Sequence, residues 1–170
     1  TPVTLDSFHS AVVELNQRNS IFVDITANAD VAAMYGKYLK QSIAVVACNK
    51  IACSSDYDKY NELKHLSKTY NAPLLFETNV GAGLPIIDTL NNLIASGDRV
   101  KRIQAVLSGS LNFVFNNFKS GDSFYDVVQA AKAEGYTEPD PRIDLSGVDV
   151  ARKILILARE SGLKINLEDI

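Results

Sequence analysis

The sequence has no tryptophan, one methionine, two cysteines and two histidines in 170 residues, and these scarcities exclude several functions at once. Cys48 and Cys53 are too few for a disulfide framework. With His9 and His65 as the only imidazoles, the Cys/His pattern of a zinc site is absent as well, so the thiols read as core or loop residues. Long apolar runs are also missing. Ile43–Cys48 and Ile154–Ala158 fall far short of the roughly 20 residues a membrane-spanning helix needs, and no membrane partner is expected. Nor is there an excess of positive charge: 17 Lys plus Arg stand against 20 Asp plus Glu, a net charge of −3. That balance supplies no field for a phosphate backbone, so no nucleic acid is expected to bind. With no signal peptide opening the chain, the expected location is the cytoplasm.

What is present is an ordinary globular composition, 46% hydrophobic and 22% charged, enough for one large domain or two small ones. Thr4 can cap a helix over about residues 5–18, with Leu5, Phe8, Val12 and Leu15 along one face. Short β-branched runs at 21–25, 43–48 and 74–77 then alternate with helical patterns, one capped by Asp30 and one from about Asp56 to Tyr70. Strands this apolar, separated by helices, are those of a parallel sheet covered on both faces. Pro85 suits the first position of a helix carrying Ile86, Ile87, Leu90 and Ile94. Residues 100–107 read as a further strand. Ser108-Gly109-Ser110 reads as a turn, and two more helices follow before Gly135.

In such a sheet ligands bind beyond the carboxyl ends of the strands. Those ends carry Thr26-Ala27-Asn28, Asn49-Lys50 and the stretch from Thr78 to Gly83. The glycines of NVGAGLP lack a dinucleotide fingerprint's third glycine, and Pro85 follows at once. They make either a plain tight turn or, with Glu77, a turn whose carbonyls hold a hard cation such as sodium. Charge is densest in GYTEPDPRIDLSGVDVARK, residues 135–153. Pro139 and Pro141 stiffen its first half into an extended loop, Ser146 is a candidate N-cap, and Asp149 and Lys153 fall four apart on one helical face. A cap plus a surface ion pair explains that spacing, as does a functional pair.

TNVGAGLP (78–85), LSGSLNFVF (107–115) and residues 135–153, in that order, resemble homoserine dehydrogenase. The similarity runs over essentially all 170 residues and is nearest to the bifunctional aspartokinase/homoserine dehydrogenase type. The resemblance implies the C-terminal half of a Rossmann-like parallel sheet (1–80) joined to an α/β substrate and dimerisation domain (81–170), truncated at its C-terminal end. It implies interconversion of aspartate semialdehyde and homoserine with NADP or NAD, a homodimer, and an aspartokinase domain fused outside this chain. It also assigns roles: Lys153 and Asp149 catalytic, Glu138, Asp144 and Lys50 at the substrate, and Thr26 and Lys50 at the cofactor. Glu77, Val80, Ala82 and Leu84 are implied as ligands of a monovalent cation, Na+, the last three through backbone oxygens. Members begin with a glycine-rich βαβ unit that is not found before Ile21, and they continue past Ile170. The chain therefore reads as an internal piece, expected to bind nicotinamide weakly or not at all by itself; micromolar affinity in a calorimetric titration would overturn that. The alternative for the piece alone is a dimerising amino-acid-binding module without turnover.

Overall fold

The computed structural model describes residues 3–15 and 17–170. Helix α1 (Leu5–Glu14) is opened by a capping box in which Thr4 Oγ1 accepts from the Ser7 amide at 3.1 Å and Ser7 Oγ from the Thr4 amide at 2.9 Å. It stops at Glu14, short of the expected residue 18, and Asn16 lies outside the described residues. Then come β1 (Ile21–Asp24), α2 (Ala29–Ala33), α3 (Tyr35–Leu39), β2 (Ala44–Ala47), α4 (Tyr57–Thr69) and β3 (Leu74–Leu75). The strands pair in parallel in the order β1-β2-β3, with Ile21 opposite Ala44 and Val45 opposite Leu74. This is the expected α/β alternation. Its second helix is capped by Asn28, however, because Asn28 Oδ1 reaches the amides of Asp30 and Val31 at 2.7 and 3.2 Å. Asp30 already lies inside the first turn, where its side chain has no orphan amide ahead of it to accept from.

Alternation along the strands sends Phe22, Asp24, Val45, Ala47 and Leu74 to the face packed by α3 and α4. Phe22 stacks on Tyr38 there, ring centroids 4.1 Å apart, and Tyr35, Leu39 and Val45 are fully buried. The opposite face differs from expectation. Ile21, Val23 and Leu75 are exposed on it, so among the described residues the sheet is covered on one side.

Beyond β3 the expected strand to Glu77 gives way to a 3₁₀ turn, Glu77–Asn79. Gly81 follows at φ +80°, where a Cβ would stand 2.6 Å from Cγ1 of Ile86; only glycine fits this turn without strain. Helix α5 (Ile87–Ala95) begins after Pro85, since Ile86 is its cap residue. The expected strand at 100–107 does not form. A strand exists only through a partner's hydrogen bonds, and among the described residues nothing pairs with this segment; Val106 is 74% exposed. Four α-helices follow, α6 (Gly109–Asn117), α7 (Phe124–Ala133), α8 (Pro141–Leu145) and α9 (Val148–Glu160), and a 3₁₀ turn, Leu167–Asp169, comes after them. Val114, Val128 and Ala131 make a small cluster between α6 and α7, whereas Ile156 and Leu157 of α9 enter the main core beneath the sheet. No helix of the described residues is long and apolar enough to cross a membrane.

Candidate functional site

The charged stretch at 135–153 folds differently from a plain loop. Pro141 takes the first position of α8, and Asp140 caps it, accepting from the Arg142 amide at 3.1 Å. Proline is suited to that position because its missing amide would have had no helical partner. Asp140 also chelates the Arg142 guanidinium at 2.7–3.1 Å, and that hydrogen-bonded cation brings its carboxyl down to about 2. Ser146 ends α8 instead of starting the next helix. The cap of α9 is Gly147 in the left-handed region, φ +71°. No capping box therefore involves Asp149, and its carboxylate is left for the lysines.

It meets two of them. Asp149 Oδ2 lies 2.7 Å from Lys153 Nζ one turn along α9, and Oδ1 lies 3.3 Å from Lys50 Nζ beyond the end of β2. Lys153 Nζ also donates to the Leu107 carbonyl at 2.8 Å, which ties the ammonium to the segment leading into α6. Lys50 and Lys153 line a cleft of about 400 Å³ whose other walls include Thr78, Gly81, Ala82 and Ser108. One flank is small-residue backbone from the β3 end, and another is the start of α6. Both lysines of the ion-pair cluster thus belong to its lining. A larger cleft, about 480 Å³, lies between α2–α3 and α4 and gathers none of the expected site residues.

The other expected residues are placed less directly. Asp144 accepts from Ser110 Oγ and from the Glu138 amide, each at 2.9 Å, and so ties the 135–147 segment to the start of α6. The Glu138 side chain is exposed and has no hydrogen-bond partner among the described residues. Thr26 stands at the same end of the sheet, its amide on Asp24 at 2.7 Å, outside the cleft wall. Glu77 has a structural duty: its two carboxylate oxygens accept from the amides of Ile87 and Asp88, both at 2.8 Å, and close the N-terminus of α5. The Leu84 carbonyl accepts from Ile86 at 2.9 Å, Val80 is buried, and Ala82 lines the cleft at φ +51°.

Sequence reasoning missed the polar layer beneath the cleft. Asp24, 1% exposed, accepts from Tyr35 Oη at 2.6 Å and Asn49 Nδ2 at 3.1 Å besides the Thr26 amide. A carboxylate closing a strand otherwise made of apolar residues was the available signal. α9 itself is anchored at its far end. Arg159 donates to the carbonyls of Cys53 and Ile165 and to Asn166 Oδ1, each at 3.0 Å, and Glu160 is held by Tyr60, Lys64 and Asn91. These contacts fix the helix that carries Lys153.

Partial burial opposes ionisation of Asp149. The Lys153 hydrogen bond and the charges of Lys50 and Lys153 outweigh it and hold the pKa below the usual value. The unfolded chain, with an aspartate near its ordinary value of about 3.9, therefore takes up this proton first on acidification. The stabilisation is complete above that value and is lost as the pH falls through the lower folded one. Urea midpoints measured from about pH 6 down to pH 3 should show Asp149→Asn with a shallower acid-side decline than the parent. Parallel curves would remove Asp149 from the acid response.

Comparison with known proteins divides the chain in two. A family model described as homoserine dehydrogenase, NAD binding domain, matches residues 2–77, and one described as homoserine dehydrogenase matches residues 85–170. The chain is 48% identical over 173 residues to bifunctional aspartokinase/homoserine dehydrogenase 1, chloroplastic, of Zea mays, covering 99% of this chain and 18% of that protein. It is 47% identical over 151 residues to homoserine dehydrogenase of Schizosaccharomyces pombe, covering 86% of this chain and 40% of that protein. Among solved structures, a Candida auris protein of unknown function superposes with a TM-score of 0.90 at 41% identity, over 99% of this chain and 48% of that one. A hyperthermophilic archaeal homoserine dehydrogenase in complex with NADPH superposes with a TM-score of 0.77 at 34% identity, over 90% and 46%. The chain thus spans less than half the length of these relatives.

Proposed function

The chain belongs to the homoserine dehydrogenase family, and from that membership we propose that it carries the substrate side of an enzyme interconverting aspartate semialdehyde and homoserine. The observation that carries this reading is the Lys50–Asp149–Lys153 cluster, in which one carboxylate holds two ammonium groups at the cleft beyond the carboxyl end of the sheet. In the reducing direction the aldehyde carbon gains a hydride and its oxygen a proton. The cofactor, NADP or NAD, would supply the hydride in its reduced form and leave oxidised. Lys153 Nζ donates the proton to the developing alkoxide, and its positive charge stabilises that oxygen before transfer. Asp149 keeps the Lys153 ammonium aimed, and Lys50 adds a second positive charge on the same side. Carboxylates suit the substrate's α-ammonium, and Glu138 and Asp144 take that role, with Asp144 holding the backbone of Glu138. Thr26 takes a cofactor-side position at the end of β1.

Three further elements belong to the proposal. A sodium ion would share the Glu77 carboxylate with the amides that open α5 and draw on the carbonyls of Val80, Ala82 and Leu84. The whole protein is a homodimer. An aspartokinase domain is fused to it, as in the relatives whose names carry both activities. The test is homoserine-dependent reduction of NADP by the full-length protein. Turnover that requires homoserine is expected; an absence of turnover with both NADP and NAD would refute the reading.

A further inference from the structure

A carboxylate with almost no solvent access is costly unless every lone pair in use meets a donor. Asp24 closes β1 in that condition. Its Oδ1 takes the Thr26 amide, and its Oδ2 takes both Tyr35 Oη and Asn49 Nδ2. The last of these reaches across the sheet to the end of β2. Asn49 is itself buried, and both polar atoms of its amide group have partners: Nδ2 also donates to the Asn28 carbonyl at 2.9 Å, and Oδ1 accepts from the Ile51 amide at 3.0 Å. Lys50 stands between Asn49 and Ile51, so this one side chain pins the backbone on both sides of the lysine. The Lys50 carbonyl is held as well, by the Ser54 amide at 2.9 Å and Ser54 Oγ at 2.8 Å. Only the lysine side chain is left to move, and it points at Asp149.

We propose that Asp24 is a positioning residue, setting through Asn49 where the Lys50 ammonium meets the Asp149 carboxylate. The proposal rests on the reading of Lys50 as a substrate-side cation. Asp24 touches neither substrate nor cofactor in this account. Tyr35, buried on α3 beneath it, fixes the second oxygen from below and leaves one direction for Asn49. The result is a strut between the ends of two strands, and its outer end is a charged group of the cleft.

Asp24→Asn isolates the strut. If the new carbonyl keeps the Thr26 amide, the new NH₂ faces Tyr35 Oη, which can turn to accept, and Asn49 Nδ2, which cannot. Only the Asn49 contact is lost. In the full-length protein this variant is expected to lower kcat/KM for homoserine by about tenfold, the size typical of residues coupled in one network, and Asn49→Ala to do the same. The double variant should be no worse than either single. In a Lys50→Ala background the cost of Asp24→Asn should fall below about twofold. Equal cost in both backgrounds would overturn the proposal, since a merely structural carboxylate does not depend on Lys50. A second measurement needs no turnover. Amide exchange at Ile51 should speed up in Asp24→Asn while the β2 amides keep their protection; an unchanged Ile51 rate would overturn the strut even in an inactive protein. Loss of homoserine-dependent turnover in the parent protein would instead sink the functional reading and leave the exchange result to judge the strut. Should Asp24→Asn fail to fold, Asn49→Ala carries the kinetic and double-background tests from the other end.

Discussion

Replacing Lys153 by alanine in the full-length protein is expected to lower kcat for homoserine oxidation by about 10²–10⁴-fold, the range that positioned proton transfer contributes. The side chain is mostly enclosed, with two fixed partners, Asp149 at 2.7 Å and the Leu107 carbonyl at 2.8 Å. Its third proton is free to face the cleft. Truncation removes that donor and the charge that stabilises the alkoxide, while Asp149 keeps Lys50 as a partner. The fold should therefore survive, and the thermal midpoint should move little. Lys153→Arg sharpens the test. A guanidinium preserves positive charge but holds its protons too tightly for transfer near neutral pH, so substrate binding should recover more than kcat. If Lys153→Ala turned over within threefold of the parent, comfortably below the range given for proton transfer, the lysine would have no part in the chemistry.

The largest effect on stability is expected at Glu160. Its carboxylate is buried between α4, α5 and α9, with Tyr60 on one oxygen, Lys64 on both at 2.9–3.0 Å, and Asn91 on the other at 2.9 Å. Glu160→Ala deprives three donors at once. Lys64, partly exposed, can turn to water, but the buried Tyr60 hydroxyl has no such escape. A buried donor left unsatisfied costs about 1–3 kcal/mol, and the space emptied by the truncated side chain adds to it. At roughly 2–4 °C per kcal/mol for a chain of this length, the thermal midpoint should fall by about 10 °C. Glu160→Gln keeps one acceptor and should recover part of the loss. A shift of under about 2 °C for the alanine variant would mean that the three donors find other partners at little cost. Because α9 is anchored here and carries Lys153 two turns earlier, the same change should also impair turnover through misplacement.

Much of the architecture was legible in the residues. β-Branched runs alternating with 3.6-residue periodicity specified the parallel sheet and its flanking helices, and Thr4 caps the helix it precedes. Local rules sufficed because a cap or a helical stripe depends only on neighbours three or four positions away. The Asp149 to Lys153 spacing is of the same kind. Both side chains ride one helix, so their meeting needed no knowledge of the rest of the chain.

Where the outcome departed from expectation, the deciding contact lay far off in sequence or required competition between neighbours. The apolar pattern at 100–107 suits a strand, yet a strand needs a partner and this segment has none among the described residues. Asn28 displaced Asp30 as a cap because the chain turns helical at Ala29, two residues before the apolar pattern indicated. Glu77 closes a helix ten residues later, a role that spacing cannot suggest.

The sequence alone thus determined the alternating α/β core, the family resemblance and the ion pair within α9, all of which follow from periodicity, composition and short spacing. Tertiary structure alone decided that Lys50 joins that pair from about 100 residues away, that the Leu107 carbonyl holds Lys153, and that Asp24 and Asn49 brace the turn beneath them. The physical reason is one of range. Local geometry is set by steric and hydrogen-bond rules acting over a few residues, whereas a site between sheet and helix is assembled by burial, which brings together whatever the packed core leaves at its rim.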